Sequence, residues 1–304
     1  MGATLVKTFF DFKDSIDDDT EFLIFGIPWD SLSSLKGVDS ANGPSKLREI
    51  TDDLARTTED GFDITSFNAS DLGDIEIDPS NTERNLIKIE EFIKKLYNPH
   101  KSPKMVMIGG DHYCTYPVVK AIGDLVLEKE KFGVLVFDAH VDFYEIWEGK
   151  THSHTMVSYR LFGLDFINNK NLLIVGTRDI DNVELENLQE NKIEYINAYE
   201  VNDNNLQEVE GKIVKFFKSN EISKLYVSID IDVLDPSIAP GTGYAIPGGL
   251  TYRQLWNILR ELPKNFDVIG FDLVEVSPGL DLPNRITQVS GAKLIVEFMK
   301  FIKK

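Results

Sequence analysis

Phe132-Gly-Val-Leu-Val-Phe137, followed directly by Asp138-Ala139-His140-Val141-Asp142, is the stretch of sequence that decides the predicted fold. Its first six residues are apolar, mostly β-branched or aromatic, which is typical of a buried strand. If the strand continues, Asp138, His140 and Asp142 share one face, because alternate side chains of a strand point the same way. Two carboxylates and an imidazole would be costly to leave unpaired there, so the stretch predicts a metal site. The alternative is an exposed polar strand end.

Similar apolar segments recur along the chain and alternate with segments that have helical signals. Further strands are predicted over residues 21–28, 71–77, 104–108, 171–175, 193–196, 224–232 and 266–273. Helices are predicted over residues 45–50, 83–97, 115–127, 184–191, 206–217, 251–262 and 291–302, with another through residues 159 and 161. Continuous apolar strands in such an alternation favour a three-layer α/β/α fold with a largely parallel central sheet. No linker, charge block or repeat divides the sequence, which predicts a single domain over residues 1–304.

The composition restricts the classes of partner and the cellular setting. Asp and Glu number 50 against 32 Lys and Arg, a net charge of −18, which argues against nucleic acid and suits a cationic substrate or metal ions. Cys114 is the single cysteine, so no intrachain disulfide can form. The first residues lack an apolar signal region, and no run approaches the roughly 18 apolar residues of a membrane span. We therefore expect a cytoplasmic protein with no membrane partner.

Two other strand ends carry the same kinds of side chain. Asp230 and Asp232 lie in Ser228-Ile-Asp-Ile-Asp-Val-Leu-Asp-Pro236, and His112 follows the strand that ends at Ile108. In open α/β sheets, sites form beyond the carboxyl ends of the strands, so we expect these residues to join Asp138, His140 and Asp142. Such an oxygen-rich set without thiolate favours Mn²⁺ over Zn²⁺ and leaves Fe, Co and Ni open. Six ligands suit two ions, which can lower the pKa of a shared water and make a hydroxide nucleophile.

The three polar motifs, Gly109-Gly-Asp-His112, Asp138–Asp142 and Ser228–Pro236, resemble the metal-binding motifs of the ureohydrolases, the family of arginase and agmatinase. The resemblance covers most of the chain. It extends to the family's N-terminal signature in Gly26-Ile-Pro-Trp-Asp30 with Gly43-Pro44, and to its C-terminal one in Gly241-Thr-Gly243, Pro247-Gly-Gly-Leu250 and Asp272-Leu-Val-Glu-Val-Ser-Pro278.

The resemblance implies an arginase-like fold and two Mn²⁺ ions per chain. One ion would be held by His112, Asp138, Asp142 and Asp230, and the other by Asp138, His140, Asp230 and Asp232. It also implies homo-oligomers, commonly trimers or hexamers.

The resemblance further implies hydrolysis of a guanidinium group to urea and an amine by a metal-bridging hydroxide. Glu275 matches the acid that pairs with the guanidinium, whose planar fork suits a bidentate carboxylate. The leaving amine needs a mobile acid near neutral pH. Within Thr151-His-Ser-His-Thr155, His154 best matches the family's proton-donating histidine. His152 is the second choice, because Thr155 stands where the family usually has a glycine after that histidine.

The loop after Asp142 indicates the substrate. Arginases hold the α-carboxylate of arginine with Asn and Ser in this loop, whereas Phe143-Tyr-Glu-Ile-Trp-Glu-Gly-Lys150 has neither. Glu145 and Glu148 would instead attract an amine. Against this, Arg178-Asp-Ile-Asp181 with Glu184 resembles the arginase segment that receives the α-amino group, although Asp181 and Glu184 would equally suit an alkyl ammonium. We therefore expect an agmatinase of polyamine biosynthesis, which makes putrescine and urea from agmatine. Arginase, making ornithine, and guanidinobutyrase are the alternatives, since Tyr244-Ala-Ile246 replaces the Thr-Pro-Glu of many agmatinases.

Two hypotheses assign the chain to other classes of protein and make different predictions. An inactive scaffold predicts the loss of at least one metal ligand or of Glu275, and all are present. A histone-deacetylase-like hydrolase predicts one zinc ion and fewer acids, which the doubled aspartate set opposes.

Overall fold

Parallel β-strands form the centre of the structure, a computed structural model that describes residues 7–98, 103–126, 128 and 131–303. In that part of the chain, eight strands make one sheet: β1 (Phe22–Ile27), β2 (Ala69–Asp74), β3 (Lys104–Gly109), β4 (Phe132–Phe137), β5 (Leu172–Thr177), β6 (Glu194–Asn197), β7 (Lys224–Asp230) and β8 (Asp267–Val274). Their order is β2-β1-β3-β8-β7-β4-β5-β6, and every neighbouring pair is parallel. The predicted largely parallel sheet is confirmed.

Helices cover both faces of this sheet. They are α1 (Gly43–Ile50), α2 (Thr82–Leu96), α3 (Thr115–Leu125), α4 (Val157–Phe162), α5 (Asn182–Asn191), α6 (Ala198–Asp203), α7 (Leu206–Ser219), α8 (Tyr252–Glu261) and α9 (Ile286–Ile302). One core cluster packs α1 and α6 to α9 against the sheet, and the other packs α2 to α5. All residues of β1, β3 and β4 are buried, which explains why these strands read as continuous apolar runs.

Three elements differ from the prediction. Helix α6 was not predicted because its sequence, AYEVND, buries only Ala198 and Val201. Its capping box, formed by Asn197 and Glu200, was an available signal. Helix α9 begins five residues before the predicted start, and β2 spans Ala69–Asp74 instead of residues 71–77. The predicted end of α3 at Leu127 lies outside the described residues.

The sheet order determines where the polar motifs meet. Strands β3, β8, β7 and β4 are consecutive neighbours at the centre of the sheet. Because parallel strands end at the same edge, the segments that follow these four strands lie side by side. Those segments contain all six predicted metal ligands and Glu275. Within the described chain, no helix has both the length and the apolar character needed to cross a bilayer.

Candidate active site and metal centre

Asp138, Asp142 and Asp232 lie outside the extended strands, and Asp230 is the last residue of β7. β4 ends at Phe137, and β7 ends at Asp230 before a 3₁₀ turn. The prediction that the strands continue through Asp142 and Asp232 is therefore wrong. Each leading aspartate accepts a hydrogen bond from the backbone two residues on: Asp138 Oδ1 from His140 N–H at 2.6 Å, and Asp230 Oδ1 from Asp232 N–H at 2.9 Å. Such local bonds compete with the strand ladder and turn the chain.

One group of ligands surrounds His112. Its Nδ1 lies 2.8 Å from Asp138 Oδ2, 3.3 Å from Asp230 Oδ2 and 3.4 Å from Asp142 Oδ2. Gly110 makes this placement possible, because a Cβ there would come within 2.1 Å of the Trp29 carbonyl oxygen. The structure thus brings together the four residues expected to hold one ion.

A second group surrounds His140 and shares a member with the first. His140 Nδ1 lies 3.0 Å from Asp232 Oδ2 and 3.4 Å from Asp138 Oδ1. Donor atoms of His112, Asp138 and Asp230 lie within 4.8 Å of one another, as do those of Asp138, His140 and Asp232. Asp138 therefore stands between two candidate metal positions.

The chemistry of this cluster fits divalent cations. His112 Nδ1 and Asp138 Oδ2 are buried and make no hydrogen bond to any described residue despite their short separation. Burial, reinforced by neighbouring aspartates, raises the pKa of Asp230 well above its ordinary value and that of Asp142 to about 6. Buried carboxylates that repel one another in this way need a nearby positive charge to be ionised. Bound cations would supply it.

A buried hydrogen-bond chain orients His112. Its Nε2 lies 3.0 Å from Ser228 Oγ, which donates to Asp272 Oδ1 at 2.7 Å. Thr115 Oγ1 donates to the other oxygen of Asp272 at 3.0 Å. Because the Ser228 hydroxyl proton goes to Asp272, its oxygen accepts from Nε2–H, and Nδ1 keeps its lone pair for a metal.

Glu275 and His154 lie beside the cluster and contact each other. Glu275 follows β8 with φ 61° and accepts hydrogen bonds on Oε1 from His112 N–H at 2.9 Å and from His154 Nδ1 at 3.0 Å. Burial lowers the pKa of His154, but the bond to Glu275 outweighs it and raises the pKa to about 9. The amide N–H of Ser34, 3.0 Å from Nε2, acts in the opposite direction because it needs an unprotonated nitrogen. The neutral ring therefore carries its proton on Nδ1.

The other candidate histidine lies elsewhere. His152 Nδ1 lies 2.7 Å from the hydroxyl of Tyr113, and its Nε2 lies 3.1 Å from Glu83 Oε1 on α2. It is not among the residues that line the cavity at the cluster, whereas His154 is. The placement favours His154 as the proton donor, and that role stays a prediction.

A cavity of about 330 Å³ opens onto the cluster. One end is formed by His140, Asp142, Asp230, Asp232, His154 and Glu275, and the rest by Ser34, Tyr144, Trp147, Thr155, Asp179, Ile180, Asp181, Glu184, Thr242 and Tyr244. Sequence reasoning did not assign a role to Ser34, Tyr144, Trp147, Asp179, Thr242 or Tyr244. Segments singled out in the sequence contain five of them: Phe143–Lys150 includes Tyr144 and Trp147, Arg178–Asp181 includes Asp179, Gly241–Gly243 includes Thr242, and Tyr244 stands in the segment that departs from the agmatinase pattern.

The acids predicted to contact substrate are placed differently from one another. Asp181 caps α5 and accepts a hydrogen bond from the Tyr144 hydroxyl at 2.7 Å. Glu184 accepts from the backbone N–H groups of Phe143 at 2.9 Å and Asp181 at 3.2 Å, and burial raises its pKa to about 8. Both line the cavity. Glu145 does not, because its neighbours Tyr144 and Trp147 face the cavity from that loop.

Comparisons with known proteins agree with this geometry. The Arginase family model matches residues 20–300. Mitochondrial arginase of Medicago truncatula is 32% identical over 92% of this chain and 82% of its own length. Agmatinase of Bacillus anthracis is 31% identical over 98% of this chain and 96% of its own. The crystal structure of agmatine ureohydrolase of Thermoplasma volcanium superposes with a TM-score of 0.83 at 25% identity, covering 98% of this chain and 94% of that one.

Fold, site and matches together define a ureohydrolase-type hydrolase. The chain belongs to the arginase family, which depends on a binuclear metal centre. Family membership, together with the complete set of candidate metal ligands, favours a ureohydrolase over both the inactive scaffold and the deacetylase-like hydrolase. An arginase and an agmatinase match at nearly equal identity, so the comparisons define the family but not the substrate. The substrate has to be inferred from the residues that line the cavity.

Proposed function

We propose that this enzyme hydrolyses agmatine to putrescine and urea with two Mn²⁺ ions per chain. The observation that carries the proposal is the wall of the cavity away from the cluster. Asp179, Asp181 and Glu184 line it together with Tyr144 and Trp147, and no Lys or Arg is among the lining residues of the described chain. Such a wall suits a second cation, as in the ammonium group of agmatine.

The aromatic pair adds to this preference. The rings of Tyr144 and Trp147 pack with centroids 4.6 Å apart, and both face the cavity. An ammonium over the face of Trp or Tyr gains about 0.5–2 kcal/mol, depending on how far it is desolvated. The α-carboxylate of arginine would instead meet Asp179 and Asp181 with no cationic side chain in the wall to offset the repulsion.

The guanidinium end of the substrate would lie at Glu275. A buried carboxylate is the natural partner of a planar, permanently charged group with paired N–H donors. When bound, the two metal ions supply a water molecule of lowered pKa as nucleophile. His112, Asp138, Asp142 and Asp230 would hold one ion, and Asp138, His140, Asp230 and Asp232 the other. The oxygen-rich donor set favours Mn²⁺.

His154 would complete the reaction. Its Nδ1–H points toward Glu275 and so toward the guanidinium that Glu275 would hold. A proton passed from Nδ1 to the nitrogen of the breaking C–N bond turns a poor leaving group into a neutral amine.

The test is urea release from agmatine, arginine and 4-guanidinobutyrate by Mn²⁺-loaded protein under identical conditions. We expect the highest kcat/KM for agmatine, and faster turnover of arginine would reverse the assignment. Asp181→Asn, which keeps the helix cap, should raise KM for agmatine more than for butylguanidine, which has no ammonium. Glu275→Gln should abolish turnover of every substrate while elemental analysis still finds two ions per chain. Equal losses of both substrates in Asp181→Asn would place the ammonium elsewhere.

A further inference from the structure

Two side chains that are far apart in sequence, Ser34 and Tyr244, connect His154 to the mouth of the cavity. Ser34 Oγ lies 2.7 Å from His154 Nε2 and 3.2 Å from the hydroxyl of Tyr244. On the other side of the ring, His154 Nδ1 lies 3.0 Å from Glu275 Oε1. Glu275 is 4% exposed and Tyr244 is 37% exposed. An unbroken series of hydrogen bonds therefore runs from the buried carboxylate to a tyrosine in contact with solvent.

The surroundings hold this series in place. The Leu32 amide donates to the buried Asp111 Oδ2 at 3.1 Å, and the His154 amide donates to the Leu32 carbonyl at 3.2 Å. These bonds fix the loop that carries Ser34 against the segment that carries His154. The ring of Tyr244 lies over the ring of His154, with centroids 6.2 Å apart and planes 29° apart.

The proposed reaction needs a path for a proton at this place. A guanidinium and water give urea and an ammonium, so charge is conserved and no proton is released overall. The attacking water loses both of its protons, and both end on the leaving nitrogen. Any proton that escapes to solvent when the water is activated must therefore be returned before the C–N bond is fully cleaved.

We propose that Ser34 and Tyr244 form a proton relay that resupplies His154 from solvent during hydrolysis. The inference rests on the proposed function. As the C–N bond breaks, its electron pair takes the proton of His154 Nδ1. Nε2 takes the proton of Ser34 Oγ, Ser34 takes that of the Tyr244 hydroxyl, and Tyr244 takes one from water. The ring starts with its proton on Nδ1 and ends with it on Nε2, and each hydroxyl loses one proton and gains one. Once the products have left, the Nε2 proton returns to solvent along the same path and solvent restores the proton on Nδ1, the tautomer that the Ser34 amide at Nε2 favours.

The Ser34 hydroxyl is not needed merely to hold the ring. The backbone N–H of Ser34 already reaches Nε2 at 3.0 Å and fixes the resting tautomer. An amide cannot pass a proton on, whereas a hydroxyl both donates and accepts. Ser34 and Tyr244 are thus positioning residues that act through His154, and their removal should affect proton delivery rather than substrate binding.

Ser34→Ala and Tyr244→Phe test the relay, because they remove one hydroxyl each and keep the amide and the ring. We expect kcat for agmatine to fall about 10- to 100-fold in each, toward the lower end of what acid catalysis contributes, with KM nearly unchanged. The double variant should be no slower than the slower single variant, because both residues serve one path. The solvent deuterium isotope effect on kcat should increase in both. Ser33→Ala, whose hydroxyl contacts only the Leu35 carbonyl in the described structure, and the exposed Tyr199→Phe are the matched controls.

Nitrogen NMR of metal-free, ¹⁵N-histidine-labelled protein examines the same chain without any substrate. The chain has five histidines, so the ring signals of His154 can be assigned with His154→Gln. Above pH 9, where the ring is neutral, we expect an Nδ1–H tautomer in the wild type and a shifted Nε2 signal in Ser34→Ala. If the wild type is active and Ser34→Ala and Tyr244→Phe both keep its kcat, or change only KM, the relay is overturned. If the wild type hydrolyses no guanidino compound, the proposed function fails and the relay falls with it, while NMR still decides whether the hydrogen bonds exist.

Discussion

Replacing Ser228 by Ala should weaken metal binding although Ser228 is not itself a ligand. Ser228 has one hydroxyl proton, which it gives to Asp272 Oδ1 at 2.7 Å, and so it accepts from His112 Nε2–H at 3.0 Å. Ser228→Ala removes this acceptor, and a buried Nε2–H without a partner is costly. His112 would then carry its own proton on Nδ1, the nitrogen that faces the aspartates.

We expect the affinity for one of the two ions to fall about 10- to 100-fold, the effect typical of residues that orient a metal-bound histidine. That loss corresponds to about 1.4–2.7 kcal/mol. Calorimetric titration of chelator-treated protein with Mn²⁺ measures it, and the ion beside His140 should bind as before. Thr115→Val is the control, because it removes a donor to the far oxygen of Asp272 and leaves the Ser228 bond in place. Asp272→Asn should have a smaller effect, because its amide oxygen can stay toward the Ser228 hydroxyl and the Ile229 N–H, which donates to Oδ1 at 3.3 Å. Wild-type affinity for both ions in folded Ser228→Ala would refute the reasoning.

Three further predictions concern stability. Glu184→Ala should lower the free energy of unfolding by about 2–4 kcal/mol, because it removes the acceptor of the Phe143 and Asp181 backbone N–H groups. Differential scanning calorimetry should show Tm lower by about 3–6 °C, and Glu184→Gln should lose less. Arg48→Met should lower the free energy of unfolding by about 3–5 kcal/mol in denaturant, because it leaves the fully buried Asp71 carboxylate without its cationic partner. If the double variant Asp71→Asn/Arg48→Met lost the same stability as Arg48→Met alone, this cause would be contradicted. Since the pKa of His154 is raised to about 9, the charged ring stabilises the folded protein fully below pH 6.5, and this contribution is lost as pH rises through 9. In metal-free protein, His154→Gln should remove up to about 3 kcal/mol of this dependence of the unfolding free energy on pH. An unchanged slope of unfolding free energy against pH in the variant would be evidence against it.

The sequence predicted the sheet well because its central strands are buried on both faces. In β3 and β4 every residue is buried, so apolar runs marked the bounds of β3 and the apolar part of β4 within one residue. The rule that parallel strands end at one edge then sufficed to group six metal-ligand candidates from three separate segments. Helix α6 was not predicted because it is short and half polar, and its capping box was the main signal in the sequence.

The sequence could not predict which loop side chains face the cavity. In the segment after Asp142, charge alone pointed to Glu145, but a turn between Trp147 and Lys150 directs Tyr144 and Trp147 inward instead. Ser34 and Tyr244 are separated by 210 residues and meet only because the fold brings both to His154. No local pattern in either segment reports such a contact. Choosing between His152 and His154 likewise needed the positions of Tyr113 and Glu83.

Backbone conformation at two site residues explains why the predicted strand geometry failed while the predicted cluster formed. Asp142 and Glu275 have φ of 49° and 61°, a left-handed conformation that is uncommon for residues other than glycine. Continued as strands, these segments would run past the sheet edge and separate their side chains by about 6.6 Å at every second residue. The left-handed residue instead turns each segment back, and the Glu275 N–H is tied to the Gly110 carbonyl at 2.8 Å. A glycine would relieve this cost of order 1–3 kcal/mol but would remove the carboxylate, so the strain persists where the side chain is required.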